Sequence, residues 1–318
     1  MEFGSLLADK FNKETERLIV EKKKINEQAL FKALCNAFKD VGNGHAVNKK
    51  GDLIRCEVIH GRKSFVDFSE INGSSFWFKA DQGLTVRCEL ADLLLFVVNN
   101  KEIRVCCLQN KYEKNKYFMK DYDSFQVDMR QFYLLNKRPE YYIRNISNDF
   151  LKSAICPSVG SYGVFYPEKQ RYNMNYFSAG ILKEKYNDSI GRKRRVSKSD
   201  DVEKNVKYTH NSITVEEQQY AENLSVFGDA LMDMRIGTPY PLNFKIRDKC
   251  IWEAIQKVTN IKIIEGKKIE SFELENNNNY IDLSYRAAVV IKGNDKNDND
   301  LDRPNLHCFN EYNDFMLE

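Results

Sequence analysis

The chain has 318 residues and 42% hydrophobic content, enough apolar mass for one large domain or two ordinary ones. Its 49 basic and 46 acidic residues leave a formal net charge of +3, too balanced to announce a polyanion-binding surface, so such a surface has to come from local clusters. The longest apolar run, Leu93 to Val98, is far short of a membrane span, and the N-terminus turns polar too soon for a signal peptide; a cytoplasmic protein with no membrane association is expected. The eight cysteines contain no C-x-x-C pair and several lie in apolar surroundings (Cys35, Cys56, Cys106, Cys107), which predicts reduced core thiols rather than zinc or disulfides.

In chain order, residues 6–41 read as one long amphipathic helix, clearest at Ile25, Ala29, Leu30, Ala33, Leu34, Ala37 and Phe38, ending at Gly42. From Asp52 to Val98 the segments LIRCEVIH, KSFVDF and SSFWFKA have strand composition and are separated by turn residues. LLLFVV and IRVCCL, joined by NNKE, predict a central hairpin covered on both faces by helices. DSFQVDMRQFYLLNKRP predicts a helix through Phe125, Met129, Phe132 and Leu135, capped by Asp123 or Ser124 and stopped by Pro139. SYGVFYPEKQRYNMNYFSAGIL reads as two strands joined around Pro167 to Arg171.

Residues 183–213 are polar, contain GRKRR and lack an apolar period, which marks a basic linker between a domain at 1–182 and a mixed C-terminal region at 214–318. In that region Thr214-Val-Glu-Glu217 has the form of a capping box opening a helix with Tyr220, Leu224, Phe227 and Leu231 on one face. A second helix is expected near 246–258 and a last strand near 280–291, before an Asn/Asp-rich tail. The fold class is therefore α/β in the α+β sense: a central mixed β-sheet flanked by helices.

The hairpin ends are polar, and its register decides what they do. A two-residue turn at Asn99 and Asn100 puts Asp92 opposite Cys107 with Gln109 its diagonal neighbour; a four-residue loop pairing Val98 with Ile103 puts Asp92 opposite Gln109. Both place Asp92, Gln109 and Lys111 on one face, whereas a three-residue loop separates them. A carboxylate, an amide oxygen and an ammonium together suit metal-assisted phosphodiester hydrolysis, with Mg²⁺ or Mn²⁺ on hard oxygen ligands and the lysine beside the attacking water. The same residues would also suit a solvated ion pair where strands leave a core.

Asp92, sixteen intervening residues, then Gln109-Asn110-Lys111 resembles the D-x(n)-(E/Q)-x-K core of the PD-(D/E)xK, or restriction-endonuclease-like, nuclease superfamily. The resemblance covers roughly residues 20–150, whose helix, meander, hairpin and helix order is similar to that superfamily's αβββαβ core. It implies that Asp92 is the first metal ligand, that Gln109 stands in place of the second acidic residue, and that Lys111 is the catalytic lysine. It further implies a Mg²⁺- or Mn²⁺-dependent endonuclease acting on DNA, a homodimer, and a defence or restriction role with a protein partner encoded nearby. ELADLLLF followed by a strand ending in LQ-x-K is similar to nuclease-like proteins of bacterial defence loci. Gln109 departs from the acidic pattern and removes one negative charge, which keeps open a catalytically inactive module that binds nucleic acid or a protein.

Glu89 precedes Asp92 by an odd offset and joins the site only where the chain turns or bulges. Gln126 and Arg130 would share a helical face and could meet phosphate, or form an ordinary polar face. Arg192, Lys193, Arg194 and Arg195 could contact a nucleic-acid backbone without sequence preference, or solvate the linker. The four histidines are dispersed and no G-x-x-x-x-G-K-[ST] loop is present.

Overall fold

The computed structural model describes residues 2–44, 54–58, 65–68, 86–99, 102–114, 124–143, 146–148, 150–185, 192–210, 213–241 and 287–292. The expected strand SSFWFKA, the helix at 246–258 and the tail lie outside them.

The N-terminal apolar spacing winds into two helices rather than one, α1 (Phe3–Val20) and α2 (Glu27–Gly44). Lys22 takes the left-handed conformation at φ 52, and the N–H groups of Lys22 and Lys23 return to the carbonyls of Ile19 and Leu18, a Schellman closure. Asn26 then accepts the Ala29 N–H at 2.9 Å and starts α2. A lysine in the position usually held by glycine hides this stop from a reading by composition.

Strands β1 (Ile54–Val58), β2 (Phe65–Phe68) and β3 (Val86–Glu89) precede the hairpin of β4 (Leu93–Val98) and β5 (Glu102–Tyr112). Next come β6 (Phe125–Asp128), α3 (Met129–Lys137), β7 (Tyr141–Ile143) and β8 (Ile146–Asn148). The long strands β9 (Gly160–Glu168) and β10 (Arg171–Ser178) follow, then β11 (Leu182–Glu184), β12 (Lys193–Lys198), β13 (Asn205–His210) and β14 (Ile213–Gln218). β15 (Tyr220–Ala221), α4 (Leu224–Met232), β16 (Thr238–Pro241) and β17 (Ala287–Lys292) complete the described chain.

The largest sheet runs β1-β17-β4-β5-β9-β10-β15, with β16 added along β5. It is mixed: β4 and β5 are antiparallel, whereas β17 runs parallel to β4 and β9 parallel to β5. One edge of β5 is divided, its first residues pairing with β16 and its last with β9. A parallel neighbour needs a crossover, and between β5 and β9 that crossover contains α3.

Side-chain alternation separates two cores. Leu93, Leu95, Val97, Cys106 and Leu108 pack with α1, α2 and α4, whereas Leu94, Phe96, Val98, Val105 and Cys107 pack with α3 and two of the smaller sheets, β3-β2-β7-β8 and β11-β12-β6. Every residue of β4 is buried, as its continuous apolar run predicts for a strand covered on both faces; each such side chain contributes about 1.5–3 kcal/mol. The described cysteines 35, 88, 106, 107 and 156 are buried, and burial pushes the thiol of Cys106 up to about 12. No helix among the described residues is long and apolar enough to cross a membrane.

Three further expectations need correction. Phe125–Asp128 is a strand pairing with β12, so Phe125 and Val127 alternate with period two and the helix begins only at Met129, capped by Asp128. Thr214 to Glu217 belongs to β14, paired with β13, and the helix that follows starts at Leu224 behind the Asn223 cap. The segment 183–213 contains β12 and β13 rather than forming a linker. Strands β15, β16 and β17, from beyond residue 213, join the same sheet as β4 and β5, so the chain does not divide where its composition changes. Cross-strand pairing satisfies these polar segments' backbone groups, which local composition does not report.

Candidate functional site

Val98 pairs with Ile103 and Leu93 with Leu108, the register of the four-residue loop. The pairing ends at Leu93 and Leu108; just before it the Asp92 N–H also donates to the Leu108 carbonyl, at 3.0 Å, so Asp92 sits at the sheet end one step out of the register. Asp92 is only 3% exposed, and its Oδ2 accepts the backbone N–H of Asn110 at 2.8 Å. This charge-assisted bond ties the carboxylate to the segment that carries Gln109 and Lys111.

Gln109 is fully buried. Its Nε2 donates to the Glu89 carbonyl at 3.4 Å, and its Oε1 has no hydrogen-bond partner among the described residues. A buried amide oxygen without a donor is uncommon and calls for a reason. Lys111 Nζ donates to Gln131 Oε1 at 3.2 Å, so the ammonium is held against the first turn of α3. Glu89 ends β3 in a different sheet; the chain turns through Leu90 and Ala91, which is how its backbone comes beside Gln109.

Tyr162, an aromatic of the SYGVFY strand, stands in register with Gln109 on β9. Its hydroxyl is buried and has no hydrogen-bond partner among the described residues. Burial above all, then the charges of Cys88, Asp128 and Asp92, hold this phenol well above its ordinary pKa, so it stays a neutral O–H. Only the pairing of β5 with β9 makes Tyr162 a neighbour of the hairpin; its signal in the sequence is the aromatic SYGVFY run.

A hard divalent cation fits these donors in part. The Asp92 carboxylate and the open Gln109 Oε1 are the oxygen types Mg²⁺ and Mn²⁺ prefer, with Glu89 adjacent. Among the described residues no three His, Cys, Asp or Glu side chains gather to hold an ion. A cation there would take its remaining ligands from water and substrate.

The expected surface residues separate. Gln126 is exposed on β6 while Arg130 sits in the first turn of α3, so they do not share a helical face; the extended conformation of 125–128 is the cause. Arg130 binds Asp128 through Nε at 3.3 Å and Nη2 at 3.2 Å. Arg192 reaches the same carboxylate at 2.7 Å through Nε. Lys193 is exposed in register with Asp128, Arg194 pairs with Glu184, and Arg195 pairs with Glu113 at 2.8 Å.

No protein-family model matches the chain, and neither curated proteins nor solved structures provide a match.

Proposed function

We propose that this protein is a divalent-metal-dependent nuclease that hydrolyses phosphodiester bonds, with DNA as the substrate class. The observation that carries this reading is the convergence of Asp92, the unpartnered buried oxygen of Gln109 and the anchored ammonium of Lys111 at one end of a mixed sheet. The order hairpin, helix and parallel strand, from β4 through α3 to β9, supports it as well.

Asp92 and Gln109 would hold a Mg²⁺ or Mn²⁺ ion, with Glu89 assisting. When bound, the ion supplies Lewis-acid polarisation of the scissile phosphate. Lys111 orients the attacking water and offsets the negative charge that grows on the phosphoryl oxygens as the ester bond breaks. Gln131 keeps that ammonium from swinging into solvent. The burial of Asp92 and Gln109 strengthens the interactions those two groups make. A role in antiphage defence or restriction, with a homodimer or a protein partner, accords with the resemblance of the motif.

A second reading is a nuclease-fold module that binds nucleic acid or protein without cutting. It is favoured by the neutral Gln109 and by the absence of a three-acid cluster among the described residues. The experiment that separates the two is incubation of purified protein with supercoiled plasmid, linear duplex, single-stranded DNA and RNA in Mg²⁺, Mn²⁺ or EDTA, beside Asp92→Ala and Lys111→Ala. Metal-dependent cleavage lost in both variants supports the nuclease; cleavage unchanged in both overturns the site, and no cleavage by any form favours the binding module.

A further inference from the structure

Asp128 accepts two guanidiniums. Its Oδ1 accepts the backbone N–H of Arg130 at 3.0 Å and the Arg130 Nε at 3.3 Å, while its Oδ2 accepts Arg130 Nη2 at 3.2 Å and Arg192 Nε at 2.7 Å. Arg192 Nη2 reaches Oδ2 as well, at 2.6 Å. Two guanidiniums therefore share one carboxylate. Arg194 and Arg195, by contrast, each face a carboxylate of their own, Glu184 and Glu113.

This cluster stands at the candidate site. Asp128, Arg130 and Gln131 occupy the cap and first turn of α3, and Gln131 is the residue that holds Lys111. The Met129 N–H donates to the Arg192 carbonyl at 3.0 Å, so the start of β12 is fastened to the same helix turn. The charge of Asp128 also bears on Tyr162, the neighbour of Gln109, and on Cys88, next to Glu89. Arg192 is 58% exposed and Arg130 25%, so both reach solvent.

We propose that Arg130 and Arg192 form a clamp for a nucleic-acid phosphate, and that Asp128 occupies the clamp in place of that phosphate until the strand binds. A phosphodiester, like a carboxylate, carries one negative charge and presents two oxygens to a guanidinium fork. The clamp rests on the nuclease reading for its substrate class, but its action is binding, which is measured without turnover.

The test is fluorescence anisotropy of a labelled DNA duplex and a labelled single strand with the full chain in EDTA, across a range of salt. Arg130→Ala and Arg192→Ala should each weaken binding roughly tenfold and lower the salt slope by about one. Arg17→Ala on α1, across the sheet, serves as the matched charge control and should change neither. Asp128→Asn keeps an N-cap side chain while removing the competing charge, and should tighten binding. Equal affinity and slope in parent and both arginine variants overturns the clamp, as does no binding by the parent. An Asp128→Asn protein that melts earlier without binding more tightly shows a structural ion pair only, and also overturns it. Binding that follows this pattern while no form cleaves any substrate would establish the clamp and reject the nuclease; cleavage lost in Asp92→Ala with binding retained would support both.

Discussion

Lys111 on β5 and Gln131 on α3 are joined across the end of the sheet by a 3.2 Å hydrogen bond from the ammonium to the amide oxygen. The residues belong to different elements, and the contact exists because α3 lies in the crossover that returns the chain to β9, parallel to β5. An ammonium on a four-carbon stem has many rotamers; a fixed acceptor selects one.

Gln131→Ala should therefore lower kcat about tenfold with little change in KM, because the lysine is present but no longer held. Steady-state cleavage kinetics checks this, alongside thermal melting within a few degrees of the parent. An equal loss in a variant whose KM also rises would assign Gln131 to substrate binding instead.

Asp92 should show separable structural and chemical roles. Asp92→Ala leaves the buried Asn110 N–H without its acceptor and should cost about 1–3 kcal/mol in urea unfolding. Asp92→Asn retains an acceptor oxygen, so most of that stability should return while metal-dependent cleavage stays lost. Recovery of cleavage in Asp92→Asn would remove the carboxylate from the proposed chemistry.

Glu217 predicts a pH dependence. It is buried, with Oε1 accepting the Ser158 N–H at 2.5 Å and Oε2 accepting from Gln219. Burial holds its carboxyl above the ordinary value of 4.5, against the opposing hydrogen bonds of Ser158 and Tyr208 and the charge of Arg104. Between the unfolded and the raised folded pKa the folded state binds more protons. Stability is thus fully present below the unfolded pKa and falls as pH rises through the folded one. Urea midpoints measured from acid to neutral pH should show this decline in the parent and not in Glu217→Gln.

Gly237 holds the join between α4 and β16 at φ 90, and a β-carbon there would meet the Val105 carbonyl oxygen at 2.7 Å. Gly237→Ala should destabilise by about 1–3 kcal/mol from the backbone conformation alone, with the clash in addition. Because β16 pairs along β5, the loss should appear as a lower global melting temperature rather than a local opening.

Much of the framework could be read in the chain. The unbroken apolar run of β4 and the VCCL run of β5 announced a doubly covered hairpin, and the turn at Pro167 to Arg171 joins β9 to β10, with Tyr172 opposite Pro167. Two of the errors share one origin. Phe125 and Met129 match both a helix and a strand running into a helix, and Thr214 to Glu217 matches a cap as well as a strand, because a few residues satisfy both periods.

For the candidate site, period-two alternation alone put Asp92, Gln109 and Lys111 on a common face under two of the three loop lengths considered. The loop length itself was decided by the pairing of Val98 with Ile103, and the contact of Asp92 with β5 by its bonds to the Leu108 carbonyl and the Asn110 N–H. Tyr162, Gln131 and Asp128 entered only through β9, α3 and β12, segments far apart in the chain. Side-chain alternation is a local property of extended backbone, so the sequence determines it; which strands lie side by side is settled by long-range burial and hydrogen bonding, and only the folded chain expresses that.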